Sequence, residues 1–141
     1  MSIDLRHVLT AAIEAARAAG ELLRAEFHRE GGIRGSGGHA PVAEEMERLL
    51  RTRLLEALPG SGFVGEETGS WTPKATSPAA TWYVDPNDGT SAFIDGWRGS
   101  AVSIGLVQDG VPVLGVVHAP VAPDDGGDLI AWAEGCVLTR N

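Results

Sequence analysis

Two stretches of the chain carry apolar residues at helical spacing, and each predicts a long amphipathic helix. We expect the first helix to start at an N-cap on Ser2 and to end near Gly31-Gly32. Its apolar stripe comprises Leu5, Val8, Leu9, Ala12, Ile13, Ala16, Leu23 and Phe27. We expect the second helix over residues 41–58, because Pro59-Gly60 stops it. Its buried side is predicted to comprise Met46, Leu49, Leu50, Leu54 and Leu58.

Beyond residue 60 the pattern changes to short apolar runs, rich in β-branched and aromatic residues, that are typical of strands. The predicted strands cover residues 63–64, 82–84, 101–108, 111–118 and 129–133. Between the third and the fourth, Asp109-Gly110 is a strong hairpin signal. Residues 71–80, rich in Thr, Pro and Ser, predict a loop. Together these elements predict an α+β fold in which two long helices pack on a mostly antiparallel sheet.

The most informative stretch is the turn after the second predicted strand, with the sequence Asp85-Pro86-Asn87-Asp88-Gly89-Thr90. Pro86 lacks a backbone N–H and is expected to end the strand just after Asp85. Asp88 is the predicted N-cap of a short helix over residues 90–95. The free amides in the first turn of such a helix attract phosphate, and carboxylates suit Mg²⁺. The same residues also suit a plain surface turn, because Asp, Pro, Asn and Gly all favour turns.

Three segments, Gly65-Glu66-Glu67, residues 82–90 and residues 101–106, together resemble the signature of the inositol monophosphatase family. The core D-P-x-D-G-T with an upstream G-E-E is highly specific. The likeness extends from the first helix to the last residue and covers the N-terminal half of a family member. It implies that residues 1–141 form the N-terminal half of the layered αβαβα fold of that family. It also implies a Mg²⁺-dependent, lithium-sensitive phosphatase of small phosphomonoesters.

The resemblance implies a role for each residue that matches the family's motif. The implied metal ligands are Glu66, Asp85, Asn87 through its backbone carbonyl, and Asp88. The implied substrate-binding residues are Asp88, Gly89, Thr90 and Ser91, the last three through their amides. Thr90 and Glu66 are the implied catalytic residues, because Thr90 helps to place the attacking water and Glu66 holds the metal that activates it. The implied reaction is hydrolysis of an inositol phosphate or a related sugar or nucleotide phosphate.

Two departures from the family's pattern bear on activity. Family members typically begin the second helix with an Asp, four residues before a Glu, and this Asp helps to orient the water. Placing Glu47 on the family's Glu puts Ala43 at the Asp position, so either Glu44 replaces the base or the base is absent. The Trp-Asp motif of the family's second half, which supplies another metal ligand, does not occur in this sequence.

These departures predict a truncated phosphatase half whose activity by itself is weak or nil. The alternative is a non-catalytic remnant that binds Mg²⁺ or phosphate. We also expect the surface meant for the other half to be apolar. A homodimer or a complementing second half would cover such a surface.

Composition excludes several classes of partner. The formal charge of −8 argues against nucleic acid, because binding to a phosphate backbone needs basic patches. No run approaches the roughly 18 apolar residues of a membrane span, and no charged-then-apolar leader is present. The single Cys136 fits a reducing compartment. We therefore expect a cytoplasmic protein whose partner is a small phosphorylated substrate and not a membrane.

Other chemistry-bearing residues have simpler interpretations. We interpret Glu44, Glu45 and Glu47 as stabilising the start of the second helix through its dipole. Residues 35–40 match the pattern G-x-G-x-x-A, but a helix precedes them where a dinucleotide site needs a strand. The candidates interpreted as surface or structural residues, and not as ligands, are Arg34, His39, Arg98 and His118.

Overall fold

Two long helices and a seven-stranded sheet form the fold, which a computed structural model describes for residues 2–73 and 77–141. In chain order the described elements are α1 (Leu5–Phe27), α2 (Pro41–Ala57), β1 (Gly62–Gly65), β2 (Gly69–Trp71), β3 (Ala80–Asp88), α3 (Thr90–Ile94), β4 (Ala101–Gln108), β5 (Val111–Ala119), β6 (Asp128–Ala133) and β7 (Thr139–Arg140). The predicted α+β class is confirmed. In the described part of the chain, no helix combines the length and the apolar character that a membrane crossing requires.

The strands lie side by side in the order β2-β1-β3-β4-β5-β6-β7. β1 and β3 run parallel, whereas every other neighbouring pair in the described sheet is antiparallel. Asp109 and Gly110 have left-handed φ angles of 50° and 79°. Two such residues make the tight turn whose twist matches the strands it joins. The predicted hairpin between β4 and β5 is therefore confirmed.

Both long helices bury their apolar stripes against one face of the sheet. Leu23 of α1, Leu50 of α2 and Trp82 of β3 are fully buried in this core. Side chains alternate along a strand, so Tyr83, the next residue after Trp82, lies on the opposite face and is 49% exposed. Three further apolar side chains are exposed on that outer face, namely Val117, Ile130 and Trp132. The sheet has one covered face and one open, partly apolar face.

The helix ends differ slightly from the prediction. α1 is capped by Asp4 and not by Ser2, because the Asp4 carboxylate accepts a hydrogen bond from the His7 amide at 3.2 Å. α1 ends at Phe27, a few residues before the glycines that were expected to stop it. α2 starts at Pro41, where the missing N–H is not needed, because the first-turn amides of a helix have no acceptor within it.

Two strand predictions need correction. β3 continues past Pro86 to Asp88, although an irregularity between Asp85 and Asp88 interrupts its pairing with β4. Proline removes only one hydrogen-bond donor from a strand. The pairing of β3 with β4 is irregular around Pro86 and resumes at Asp88, which lies opposite Ala101. Within the predicted loop over residues 71–80, Trp71 belongs to β2, and residues 74–76 lie outside the described residues. The short β7 strand was not predicted from the sequence.

Candidate functional site

Glu66 and Asp85 lie side by side because of the parallel pairing of β1 with β3. Gly65 lies opposite Val84 in this pair, and the next residue along each chain is acidic. The Glu66 amide donates to the Val84 carbonyl at 3.3 Å, which extends the register by one step. Two carboxylates that are well separated in sequence therefore meet at one edge of the sheet.

An open cavity of about 450 Å³ lies at this edge. It is lined by Gly38, Glu66, Glu67, Asp85, Asn87, Asp88, Gly89, Thr90, Ser91 and Ala92. The lining includes every residue that the sequence predicted for the metal, the phosphate and the catalytic roles. The structure brings these residues together, and their individual roles stay predictions.

Asp85 has the most perturbed acidity in this cavity. Burial raises the pKa of Asp85, and the hydrogen bond and negative charge of Glu66 raise it further, to about 7. The Asn87 amide, which donates to the Asp85 Oδ1 atom at 3.1 Å, acts in the opposite direction but does not offset these effects. Asp88 adds a further negative charge nearby. A carboxyl in such surroundings is stabilised by a proton or by another positive charge.

The turn after Asp85 is held by its own side chains. The Thr90 hydroxyl donates to the Asn87 carbonyl at 2.8 Å, and a carbonyl oxygen keeps a second lone pair for another partner. The Phe93 amide donates to the Gly89 carbonyl at 2.9 Å and makes the first helical bond of α3. The amides of Thr90 and Ser91 precede this bond, in the first turn, where helices have no internal acceptors.

The predicted N-cap at Asp88 is wrong. Asp88 still belongs to β3, where it pairs with Ala101, so its backbone cannot also take the capping position. Gly89 occupies that position with a φ of 98°, and no side chain caps the helix. A φ this large favours glycine, so the sequence Asp88-Gly89 lets the chain turn sharply from strand to helix. The Asp88 side chain is left on the cavity wall.

Glu67 is the second acidic residue of the Gly-Glu-Glu turn, and it also lines the cavity. Burial raises the pKa of the Glu67 carboxyl, His39 acts to lower it, and the charges of Glu47 and Asp85 add to the rise. His39 is exposed, as the sequence predicted for a loop residue, and it acts on the pKa of Glu67 from there.

Glu47 is the site-associated residue whose surroundings the sequence did not indicate. It was interpreted as stabilising the start of α2, but it is completely buried and lies beyond the first turn of that helix. Its Oε1 atom accepts a hydrogen bond from the Glu67 amide at 2.9 Å, and its Oε2 atom accepts one from the Thr68 amide. Its burial could have been predicted from helical spacing, because Glu47 lies on the same side of α2 as the buried Leu50 and Leu54.

Ala43 lies one turn before Glu47 on the same side of α2 and is also fully buried. Its methyl group offers neither a proton acceptor nor a metal ligand. Glu44, the neighbour considered as a replacement, forms an ion pair with Arg48 on the exposed side of the helix, with the atoms 2.5 Å apart. No described contact of Glu44 thus assigns it the place of the missing carboxylate.

The donors at this edge fit a hard cation in their chemistry. Carboxylate and carbonyl oxygens are the ligands that Mg²⁺ takes in proteins, and the pKa of Asp85 is raised by burial and then by the neighbouring Glu66 and Asp88 carboxylates. In the described residues, however, no three His, Cys, Asp or Glu side chains are arranged closely enough to hold a metal ion. The residues thus match Mg²⁺ in their chemistry, and an ion held by all three of Glu66, Asp85 and Asp88 would require their side chains to move closer.

The remaining charged candidates take part in contacts within the chain. Arg34 binds Glu26 and Glu45, and Arg98 donates to the Val121 carbonyl at 2.9 Å. His118 is buried, with its Nδ1 atom 3.1 Å from the Asp128 carbonyl. Burial lowers the pKa of the His118 imidazole, in agreement with its predicted structural role. The acidic loop before β6 is held by Asp125, which contacts Arg98 and His28.

The sequence of the chain matches a known protein family. The model of the inositol monophosphatase family matches residues 4–139. Inositol monophosphatase 1 of Solanum lycopersicum is 36% identical over 122 residues, which are 84% of this chain and 45% of that protein. The 3'(2'),5'-bisphosphate nucleotidase CysQ of Aggregatibacter actinomycetemcomitans is 35% identical over 126 residues, which are 86% of this chain and 46% of that protein.

Solved structures lead to the same family. The inositol monophosphatase of Anabaena (Nostoc) sp. PCC 7120 superposes with a TM-score of 0.79 at 27% identity, over 99% of this chain and 48% of that one. The chain spans about half the length of the curated relatives that it matches. With a family model that covers almost all of its residues, this chain belongs to the inositol monophosphatase family.

Proposed function

We propose that this chain carries the Mg²⁺ and phosphate site of a phosphatase that acts on an inositol phosphate or a nucleotide bisphosphate. The convergence of Glu66 and Asp85 beside the first turn of α3 is the observation that supports this proposal. The relatives' names supply the two substrate classes, since they include inositol monophosphatases and a bisphosphate nucleotidase.

Each residue has a proposed role. Glu66, Asp85, Asp88 and the Asn87 carbonyl would hold the metal, which when bound would neutralise charge and polarise the phosphoryl oxygens. The amides of Gly89, Thr90 and Ser91 would bind the phosphate, because first-turn amides have no helical acceptors. The Thr90 hydroxyl would orient the attacking water, since its oxygen keeps a lone pair free while it donates to the Asn87 carbonyl.

The chain by itself is proposed to have weak activity. At position 43 it has a buried Ala where the family resemblance implies a proton-accepting Asp. General bases contribute about 100-fold to 10,000-fold to hydrolytic rates, so the lack of one is enough to reduce turnover severely. The sequence also contains no Trp-Asp pair.

The test combines metal binding with turnover. The purified chain is titrated with Mg²⁺ by calorimetry and then assayed for phosphate release from inositol 1-phosphate and from a 3',5'-bisphosphate nucleotide. We expect Mg²⁺ binding, slow release, and release about 100-fold faster in A43D, because a base is restored. In E66Q, Mg²⁺ binding should be lost, with E134Q as the matched control on an exposed residue. Unchanged Mg²⁺ affinity in E66Q would refute the proposed site.

A second candidate function is binding without catalysis. It is supported by the buried Ala43, which leaves the site without the expected base. In that case the chain would bind Mg²⁺ and inorganic phosphate in calorimetry, and A43D would release no phosphate from either substrate. The two candidates therefore differ in the A43D assay.

The open face of the sheet is proposed as a contact surface. Tyr83, Val117, Ile130 and Trp132 are exposed on it, and Asp85 lies in the same outward-facing row as Val117 and Ile130. A second copy of the chain or a complementing second half would cover this surface beside the site. Sedimentation at micromolar concentrations should show self-association that Trp132→Glu weakens. A parent chain that stays monomeric at all micromolar concentrations would count against this contact surface.

A cytoplasmic location is proposed as well. It is supported by the single Cys136, which has no second thiol in the chain with which to form a disulfide.

A further inference from the structure

Glu47 is a fully buried acidic side chain that belongs to none of the roles above. Burying a carboxylate is unfavourable unless hydrogen bonds replace its lost water. Both of its oxygens have such partners, since Oε1 accepts from the Glu67 amide at 2.9 Å and Oε2 accepts from the Thr68 amide. The contact joins α2 to the turn between β1 and β2, beside a second link in which the Arg51 guanidinium of α2 donates to the Thr68 hydroxyl at 3.2 Å.

The two amides that Glu47 binds follow Glu66 directly in the chain. On its other side, Glu66 is fixed by its own amide, which donates to the Val84 carbonyl at 3.3 Å. The backbone of Glu66 is therefore held on the β3 side by a strand bond and on the α2 side by the buried carboxylate. These contacts hold the backbone of Glu66 next to Asp85 in the parallel β1–β3 pair.

Gly65 shows that the fit between α2 and this turn is tight. A Cβ atom at position 65 would lie 2.5 Å and 2.6 Å from the two carboxylate oxygens of Glu47, closer than such atoms can approach. The backbone at Gly65 is not left-handed, so any residue could adopt its conformation. Any larger residue at position 65 would have to displace the Glu47 carboxylate, which occupies the space beside Gly65.

We propose that Glu47 is a positioning residue, whose buried carboxylate holds the turn at residues 65–68 and thereby sets Glu66 beside Asp85 for cation binding. This inference rests on the proposed function, because it gives Glu47 a role toward the same metal site. A helix-dipole role would not require burial or contacts to another element. Hydrogen-bonded groups that orient a metal ligand typically change metal affinity by about 10-fold to 100-fold when they are removed.

The experiment uses Mn²⁺ as the probe ion and the chain as it is. Glu47→Gln keeps the size of the side chain but one oxygen becomes an amide that cannot accept from Thr68 or Glu67. Glu56→Gln, an equal change of charge on the exposed side of the same helix, is the matched control. We expect Mn²⁺ affinity to fall about 10-fold to 100-fold in E47Q and to stay within about twofold of the parent in E56Q. Amide hydrogen exchange by NMR should be faster at Glu67 and Thr68 in E47Q only.

Gly65→Ala supplies a second route that leaves Glu47 in place. Its Cβ should displace the Glu47 carboxylate and reduce Mn²⁺ affinity as E47Q does. On a Glu47→Ala background the same substitution should cause little further loss, because the space is then free. Circular dichroism of each variant checks that it is folded.

The outcomes separate this inference from the function on which it rests. Mn²⁺ affinity that survives E47Q and G65A, in folded variants with faster amide exchange, overturns the positioning role alone. A parent chain that binds no Mn²⁺ overturns the proposed function, and the positioning role with it. Additive losses from G65A and E47A would also overturn the role, because independent sites do not share one contact.

Discussion

Two groups of acidic side chains in this molecule have opposite electrostatic surroundings. At Glu26, which is 4% exposed, burial acts to raise the pKa of the carboxyl, but the hydrogen bonds and charge of Arg34 outweigh it and leave the pKa below its ordinary value. At Asp85 burial acts in the same direction, and Glu66 adds to it, so the pKa rises to about 7. The two sites differ in the charge of the neighbour.

The Glu26 group is neutralised within the chain. Arg34 donates to Glu26 from its backbone amide at 3.0 Å and from Nε at 2.8 Å, and its guanidinium also contacts Glu45. Among the described residues, Glu66, Asp85 and Asp88 form no ion pair with a basic side chain. A carboxylate group that is neutralised internally stabilises the fold, whereas one that is not leaves a charge that an external cation can balance.

The largest expected effect that separates the two groups is on metal binding. Asp85→Asn should weaken Mg²⁺ binding more than about 100-fold, because it removes a proposed ligand and not merely a group that supports one. Glu26→Gln should leave Mg²⁺ affinity within about twofold of the parent, since its charge is already paired with Arg34. Calorimetric titration of both variants measures this contrast. Equal losses in the two variants would show that the groups do not differ as proposed.

The next effect concerns stability, and here the order reverses. Glu26→Gln should lower the free energy of unfolding by about 2 kcal/mol, because charge-assisted hydrogen bonds from Arg34 are weakened. Asp85→Asn should raise it in the absence of metal, since it removes the repulsion from Glu66. Urea unfolding in the presence of a chelator provides both values. A metal-free Asp85→Asn chain less stable than the parent would contradict the account of Asp85.

A pH titration sharpens the same comparison. The folded chain raises the pKa of Asp85 from its ordinary 3.8 to about 7, so between these values the folded state holds a proton that the unfolded state has lost. The metal-free parent should therefore lose stability relative to Asp85→Asn as the pH rises from about 4 to about 7. Saturating Mg²⁺ should abolish this loss, because it favours the ionised carboxylate. A difference between the two chains that does not vary over this range would refute the prediction.

The smallest expected effect comes from acids that are exposed and paired. Glu44 and Arg48 form an i,i+4 pair on the surface of α2, with side chains that are 44% and 68% exposed. Arg48→Ala should change the free energy of unfolding by less than about 0.5 kcal/mol, since water screens such pairs. Urea unfolding, as for Glu26→Gln, measures this change in the free energy of unfolding. A loss as large as that of Glu26→Gln would mean that burial does not decide how much a paired acid contributes to the free energy of unfolding.

Local features of the fold were predicted correctly because each depends on neighbours in the sequence. The stripes of α1 and α2 follow from helical spacing, and the hairpin follows from Asp109-Gly110. Two of the errors arose where two elements compete for one residue. Asp88 suits an N-cap by itself, but β4 holds it in the sheet, and the capping position passes to Gly89. Likewise Trp71 joins β2 because β1 offers it a partner.

The sequence by itself determined that an acidic segment at residues 85–88 leads into a short helix, that two long helices each bury one side, and that the resemblance to one family is specific. Only the tertiary structure decided that Glu66 meets Asp85 through the parallel β1–β3 pair, that Glu26 is neutralised by Arg34, and that Glu47 is buried against the turn after β1. The physical reason is that spacing along a chain fixes which side of an element a residue occupies. The charge that it meets there depends on which other element packs against that side.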